Sequence, residues 1–211
     1  MNMEAERIEL ETLLRSARAI AIEAGRQILE VYSAGYDIEH KGDLTPVTSA
    51  DLAAHRLILE GLSQLPYPFP ILSEESDSIP FSVRRDWQTY WLVDPLDGTR
   101  EFINHSGQFT VNIALIADHL PVLGVVHAPA LGYGYFAARG LGAFKVEAGC
   151  EPAPIRTRSL GRRHPVVAAS HSHRGEDLRH FLSAIGDYKL VHVGGALKSC
   201  LVAEGKADLY V

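Results

Sequence analysis

The stretch Trp91-Leu92-Val93-Asp94-Pro95-Leu96-Asp97-Gly98-Thr99-Arg100-Glu101-Phe102-Ile103 joins an apolar strand to an acidic turn. Tyr90 to Val93 is aromatic and β-branched, which favours a buried strand ending at Asp94-Pro95. Pro95 has no backbone N–H and keeps Asp94 out of the helical region, so the chain turns sharply there. Such a turn can aim the Asp94 and Asp97 carboxylates and the Leu96 carbonyl at one point. Converging hard oxygens suit Mg²⁺, and a divalent ion relieves the repulsion between the two acids. Gly98 lets the backbone come close to a ligand and its N–H groups can cradle a phosphate, while the Thr99 hydroxyl can pass a proton or orient water. Asp-Pro and Asp-Gly are also ordinary turn dipeptides, so this stretch alone leaves a plain turn open.

Upstream, Glu74 follows the short apolar run Ile71-Leu72-Ser73 and is a natural third acid. Thr48-Ser49-Ala50-Asp51 reads as a capping signature for a helix over 49–62, in which Asp51 need be no more than the capping acid. Apolar residues from Leu10 to Val31 recur at helical spacing, which predicts a first helix over 4–32. Strands are expected at 110–116, 122–127 and 133–137, with a glycine turn near 139–142. The Pro- and Arg-bearing stretch 152–165 suggests passage into a second lobe, giving a metal-binding lobe over 1–150 and a substrate-binding lobe over 151–211. A strand at 166–170, a helix at 175–185, a strand at 190–193 and a helix begun by Gly194-Gly195 follow.

A chain of 211 residues, 46% of them hydrophobic, can bury one substantial core or two fused lobes. The formal net charge of -6 argues against binding a nucleic-acid polymer, though not against a small phosphate held through metal ions. Cys150 and Cys200, the two cysteines, form no CxxC pair, which suits a reduced, cytoplasmic protein. The acidic start is unlike a signal peptide, and no apolar run reaches the ~20 residues of a membrane span. A peripheral association with the inner membrane stays compatible with this. Ten histidines lack the spacing of a zinc site; His171 and His173 read alone as surface residues, His127 as structural, and Lys198 as solvent-exposed.

Taken together, Asp94-Pro95-Leu96-Asp97-Gly98-Thr99, Leu72-Ser73-Glu74-Glu75 and Pro46-Val47-Thr48-Ser49-Ala50-Asp51 resemble three motifs of the inositol-monophosphatase superfamily, in its order. Arg100-Glu101-Phe102-Ile103, Ser170-His171-Ser172-His173, Gly194-Gly195-Ala196-Leu197-Lys198 and the run 201–208 resemble its 3'(2'),5'-bisphosphate nucleotidase branch, with Gly195 replacing a serine. The resemblance implies an α+β fold, a layered αβαβα sandwich, and Mg²⁺-dependent removal of a 3'-phosphate from adenosine 3',5'-bisphosphate or its sulfated relative. It implies metal ligands Glu74, Asp94, Leu96 and Asp97, and water activation by Asp51 and Thr99. It implies phosphate contacts from Gly98 and Thr99, and nucleotide contacts from Ser170, His173 and Lys198. Two or three ions, inhibition by lithium, and a monomer or homodimer are further expectations from the family.

The family carries a Trp-Asp motif beyond the point where this sequence stops at Asp208-Leu209-Tyr210-Val211. The C-terminal part of the fold is therefore expected to be incomplete, with weak metal binding and poor hydrolysis. An inositol or sugar monophosphatase on the same core, and a non-catalytic fragment that binds a nucleotide or partner, are the competing readings.

Overall fold

The computed structural model describes residues 3–35, 38–40, 46–159, 164–170 and 176–211. Helix α1 (Met3–Ala34) buries Leu10, Leu13, Leu14, Ala17, Ala21, Ala24 and Ile28, one stripe at helical spacing. A short hairpin of β1 (Ile38–His40) and β2 (Pro46–Thr48) leads into α2 (Ser49–Ser63), which buries Ala50, Ala54, Ile58 and Leu62. The small residues on both stripes let the helices lie close together on one face of a large sheet.

That sheet holds β3 (Ile71–Ser73), β4 (Thr89–Asp97), β5 (Thr110–Ala117), β6 (Leu120–Ala128), β7 (Tyr133–Ala138), β8 (Gly142–Glu147) and β9 (Ala153–Pro154), in that order. β3 runs parallel to β4 and every later pair is antiparallel. Trp91, Val93, Val111, Ile113, Leu115, Leu123 and Val125 join the helix stripes in one core. Two short helices, α3 (Phe81–Arg84) and α4 (Thr99–Ile103), flank β4.

A second, parallel sheet has β10 (Val166–Ala169) between β11 (Lys189–His192) and β12 (Leu209–Tyr210). It is accompanied by α5 (Glu176–Ile185) and α6 (Leu197–Ala203). Among the described residues no helix is long and apolar enough to cross a membrane.

Three elements differ from the sequence reading. β4 runs on to Asp97, because its pairing with β5 resumes after an irregularity. β8 follows the glycine turn expected near 139–142 and was not itself expected: Lys145 and Glu147 dilute its apolar alternation, yet Phe144 and Val146 pack on the core. α6 begins at Leu197, not at the glycines, which form a loop.

Two buried acids tie the C-terminal segment down. Glu204, 6% exposed, accepts from the Tyr135 hydroxyl at 2.9 Å and from Lys145 Nζ at 3.3 Å. Asp208, 2% exposed, accepts from the Arg158 guanidinium through two bonds and from the Val166 N–H at 2.6 Å. Asp208→Ala leaves the Val166 N–H without its acceptor and frees Arg158 to water, and is expected to cost about 1–3 kcal/mol of unfolding free energy. Urea denaturation checks this; a loss of under about 0.5 kcal/mol, the size of an ordinary surface change, would contradict it.

Candidate active site

Residues three apart on a regular strand face opposite sides of the sheet. Asp94 pairs with Asn112 and Asp97 with Thr110, so three steps on β4 match two on β5. The extra residue, around Pro95-Leu96, is a β-bulge that reverses the parity and turns both acids toward one region. Glu74 arrives from the neighbouring strand, its N–H donating to the Val93 carbonyl at 3.1 Å. The Glu74 and Asp94 carboxyl groups share a hydrogen bond.

The electrostatics follow from that crowding. Burial, then the charges of Asp97 and Glu74, push the Asp94 carboxyl up to about 8, against the Leu96 N–H that favours its charged form. Burial also raises Asp97, while Lys198, the Asn112 side chain and the Ala196 N–H oppose the rise. Asn112 Nδ2 donates to Asp97 Oδ2 at 3.4 Å, and Asn112 Oδ1 is buried with no hydrogen-bond partner.

Asp51 closes the opposite side. It accepts from the Thr48 N–H at 2.8 Å and the Thr48 hydroxyl at 2.5 Å, completing the capping box of α2. Burial raises its proton affinity, the Thr48 bonds lower it, and the nearby Glu75 charge raises it. The Thr99 hydroxyl stands 3.4 Å from both Asp51 Oδ1 and the Leu96 carbonyl oxygen, so it links the capping acid to the acidic turn. Asp51 is thus both a capping residue and a neighbour of the turn.

Gly98, at φ 95°, lies in the left-handed region and starts α4. The loop before α6 presses on the same turn. The Gly194 N–H donates to Gln108 Oε1 at 2.9 Å, the Gly195 Cα faces the Asp97 carboxylate, and Lys198 Nζ donates to the Gly195 carbonyl at 2.9 Å. A Cβ at Gly194 would lie 2.5 Å from Glu101 Cγ and 2.8 Å from the Gln108 carbonyl oxygen.

Of the residues singled out in the sequence, Glu74, Asp94, Leu96, Asp97, Thr99, Asp51, Gly98 and Lys198 are linked by these contacts. Ser170 follows β10 directly, and its carbonyl accepts from the His192 ring at 3.2 Å. His173 lies outside the described residues. Asn112, Gln108 and the steric role of Glu101 went unread. Asn112, a lone amide between Val111 and Ile113 in a buried strand, was the available signal.

Among the described residues no three His, Cys, Asp or Glu side chains form a ready-made metal cage. The donor chemistry nonetheless fits a hard divalent cation: mutually repelling carboxylates, a main-chain carbonyl in the same turn, and an amide oxygen lacking a donor. Glu74 and Asp94 also border a cavity of about 530 Å³ whose remaining walls are mostly apolar side chains of the large sheet.

Fold and site together define a metal-dependent phosphatase of the α+β class. The chain belongs to the inositol monophosphatase family, whose sequence profile matches residues 9–211. It is 48% identical over 200 residues to the 3'(2'),5'-bisphosphate nucleotidase CysQ of Salmonella typhimurium, covering 94% of this chain and 79% of that protein. The crystal structure of CysQ from Bacteroides thetaiotaomicron superposes with a TM-score of 0.80 at 37% identity, over 94% of this chain and 79% of that one. The extragenic suppressor protein suhB of Bartonella henselae superposes at 0.77 with 29% identity, over 93% and 76%.

Metal affinity should depend on pH with a definite sign. Partial burial and the neighbouring Asp97 and Glu74 raise the proton affinity of the Asp94–Glu74 pair, which must give up its proton to hold a cation, so Mg²⁺ binding should tighten as pH rises and expel protons. Calorimetry near neutral pH, in buffers of different ionisation enthalpy, is expected to show proton release that Asp94→Asn lacks. Equal proton release in both proteins would contradict this. Gly194→Ala, which must displace Glu101 and the loop, is expected to cost about 1–3 kcal/mol in stability, read by thermal unfolding.

Proposed function

We propose that this chain is a Mg²⁺-dependent 3'(2'),5'-bisphosphate nucleotidase, acting on adenosine 3',5'-bisphosphate or its sulfated form. The observation that carries the reading is the bulged turn that crowds Asp94 against Glu74 and Asp97 beside the Thr99–Asp51 contact. The named nucleotidase at 48% identity supports the substrate class.

In this reading Glu74, Asp94, the Leu96 carbonyl and Asp97 hold Mg²⁺. The bound cation supplies positive charge for the phosphoryl oxygens and makes water a better nucleophile. The Thr99 hydroxyl orients the attacking water and takes its proton while passing its own to Asp51, a short relay along the observed 3.4 Å contact. Asp51 is suited to accept because burial raises its proton affinity. Water's oxygen forms the new bond to phosphorus, the bond to the 3'-oxygen breaks, and the leaving oxygen ends as the 3'-hydroxyl after taking a proton from solvent. The backbone at Gly98 and Thr99 contacts the phosphate. Lys198, Ser170 and His173 hold the nucleotide.

Phosphate release from adenosine 3',5'-bisphosphate, measured with Mg²⁺, should exceed that from inositol 1-phosphate by about tenfold or more in kcat/KM. Thr99→Val should lower kcat by about 10²-fold or more with little change in KM. Faster hydrolysis of inositol 1-phosphate would replace this reading with a sugar monophosphatase. Full turnover in Thr99→Val would remove the relay.

A further inference from the structure

Away from the acidic turn, a cavity of about 280 Å³ lies between α1 and strands β7 and β8, lined by Arg7, Glu11, Arg15, Arg18, Phe136 and Phe144 along with two leucines. Its charge is unbalanced: three arginines and one glutamate are among the described lining residues. Glu11 sits four residues from both Arg7 and Arg15 and pairs with Arg15 at 3.2 Å. Glu9, the next acid along α1, hydrogen-bonds with Tyr67.

Arg18 is the telling residue. Its helical neighbours at three and four residues are Leu14, Arg15, Ala21 and Ile22, none of them acidic. Its guanidinium lies 3.7 Å from the centroid of the Phe136 ring, which itself stacks on Phe144 at 5.3 Å and 19°. Burial lowers its proton affinity, so the charge is partly stripped of water, with no carboxylate in return among the described residues. Elsewhere on the same helix the opposite choice was made: exposed Arg26 is paired with both Glu23 and Glu30. An aromatic-backed arginine, two further arginines and an apolar wall form an arrangement that recognises a phosphate joined to a ring.

We propose that this cavity is a second ligand site, for a small phosphomonoester with a planar body, its phosphate held by Arg7, Arg15 and Arg18 and its body laid against Phe144. The volume sets the size, since it falls just below the usual range of about 300–1,000 Å³ for ligand pockets. A nucleoside monophosphate is near the upper limit, and a polymer or a triphosphate would protrude. The site is separate from the acidic turn and does not rest on the nucleotidase reading.

The test uses the full chain in excess chelator, so that no cation can hold phosphate at the acidic turn. Adenosine 5'-monophosphate, adenosine and inorganic phosphate are titrated separately at low ionic strength and followed by NMR of the arginine side-chain N–H groups. The monophosphate is expected to bind, to shift the Arg18 signal, and to bind about tenfold more weakly to the Arg7→Ala/Arg15→Ala variant. Arg15 is largely exposed, and circular dichroism checks that this variant stays folded. Absence of binding, unchanged affinity in the folded variant, or inorganic phosphate binding as tightly as the monophosphate would each overturn the proposal. None of these outcomes touches the metal-dependent activity, which is measured separately with Mg²⁺ present.

Discussion

Mutual repulsion among carboxylates crowded at one end of the large sheet is the constraint around which this molecule is arranged. A carboxylate taken out of water is costly, and a second beside it raises the cost further. Asp94 is partly buried and stands next to Glu74 and Asp97. Folding tolerates this because the surrounding elements leave it little freedom. β3 and β4 are held in register by main-chain bonds, and the two long helices bury the other face of the same strands. The crowding is thereby held at one end of the sheet, and a proton there relieves it where no cation does.

The same economy appears at Asp51. Its bonds to Thr48 stabilise the start of α2, and its other oxygen faces Thr99. One acid thus anchors a helix to the acidic turn and fixes the distance between them. The loop at Gly194 completes the arrangement from the far side of the chain, since only a residue without a side chain fits between Glu101 and Gln108. The shape of this turn depends on packing between segments more than 80 residues apart, as in the Gly194–Gln108 bond.

Much of this was legible before any coordinates. Helical spacing in α1, alternation in β5 to β7 and the acid-bearing motifs were local signals, and local signals survive in a linear reading. The parity change in β4 was not legible, because a bulge is a relation between two strands and appears only when Asp94 is set against Asn112 and Asp97 against Thr110. Gln108 was missed for a similar reason, as its partner lies on a distant loop. α6 starts later than expected because glycine is a poor helix former and Gly195 takes a left-handed φ of 54°, where the loop packs against Asp97 and Gln108. His173 falls outside the described residues, so its part in the site rests on the resemblance alone.

The central claim is that the bulged turn and the end of β3 converge to hold a cation. Anomalous diffraction from crystals soaked in Mn²⁺, a stand-in for Mg²⁺, tests it most directly. The account predicts a peak about 2.0–2.2 Å from oxygens of Glu74, Asp94, the Leu96 carbonyl and Asp97. A peak bound elsewhere, with those oxygens turned away from one another, would contradict it.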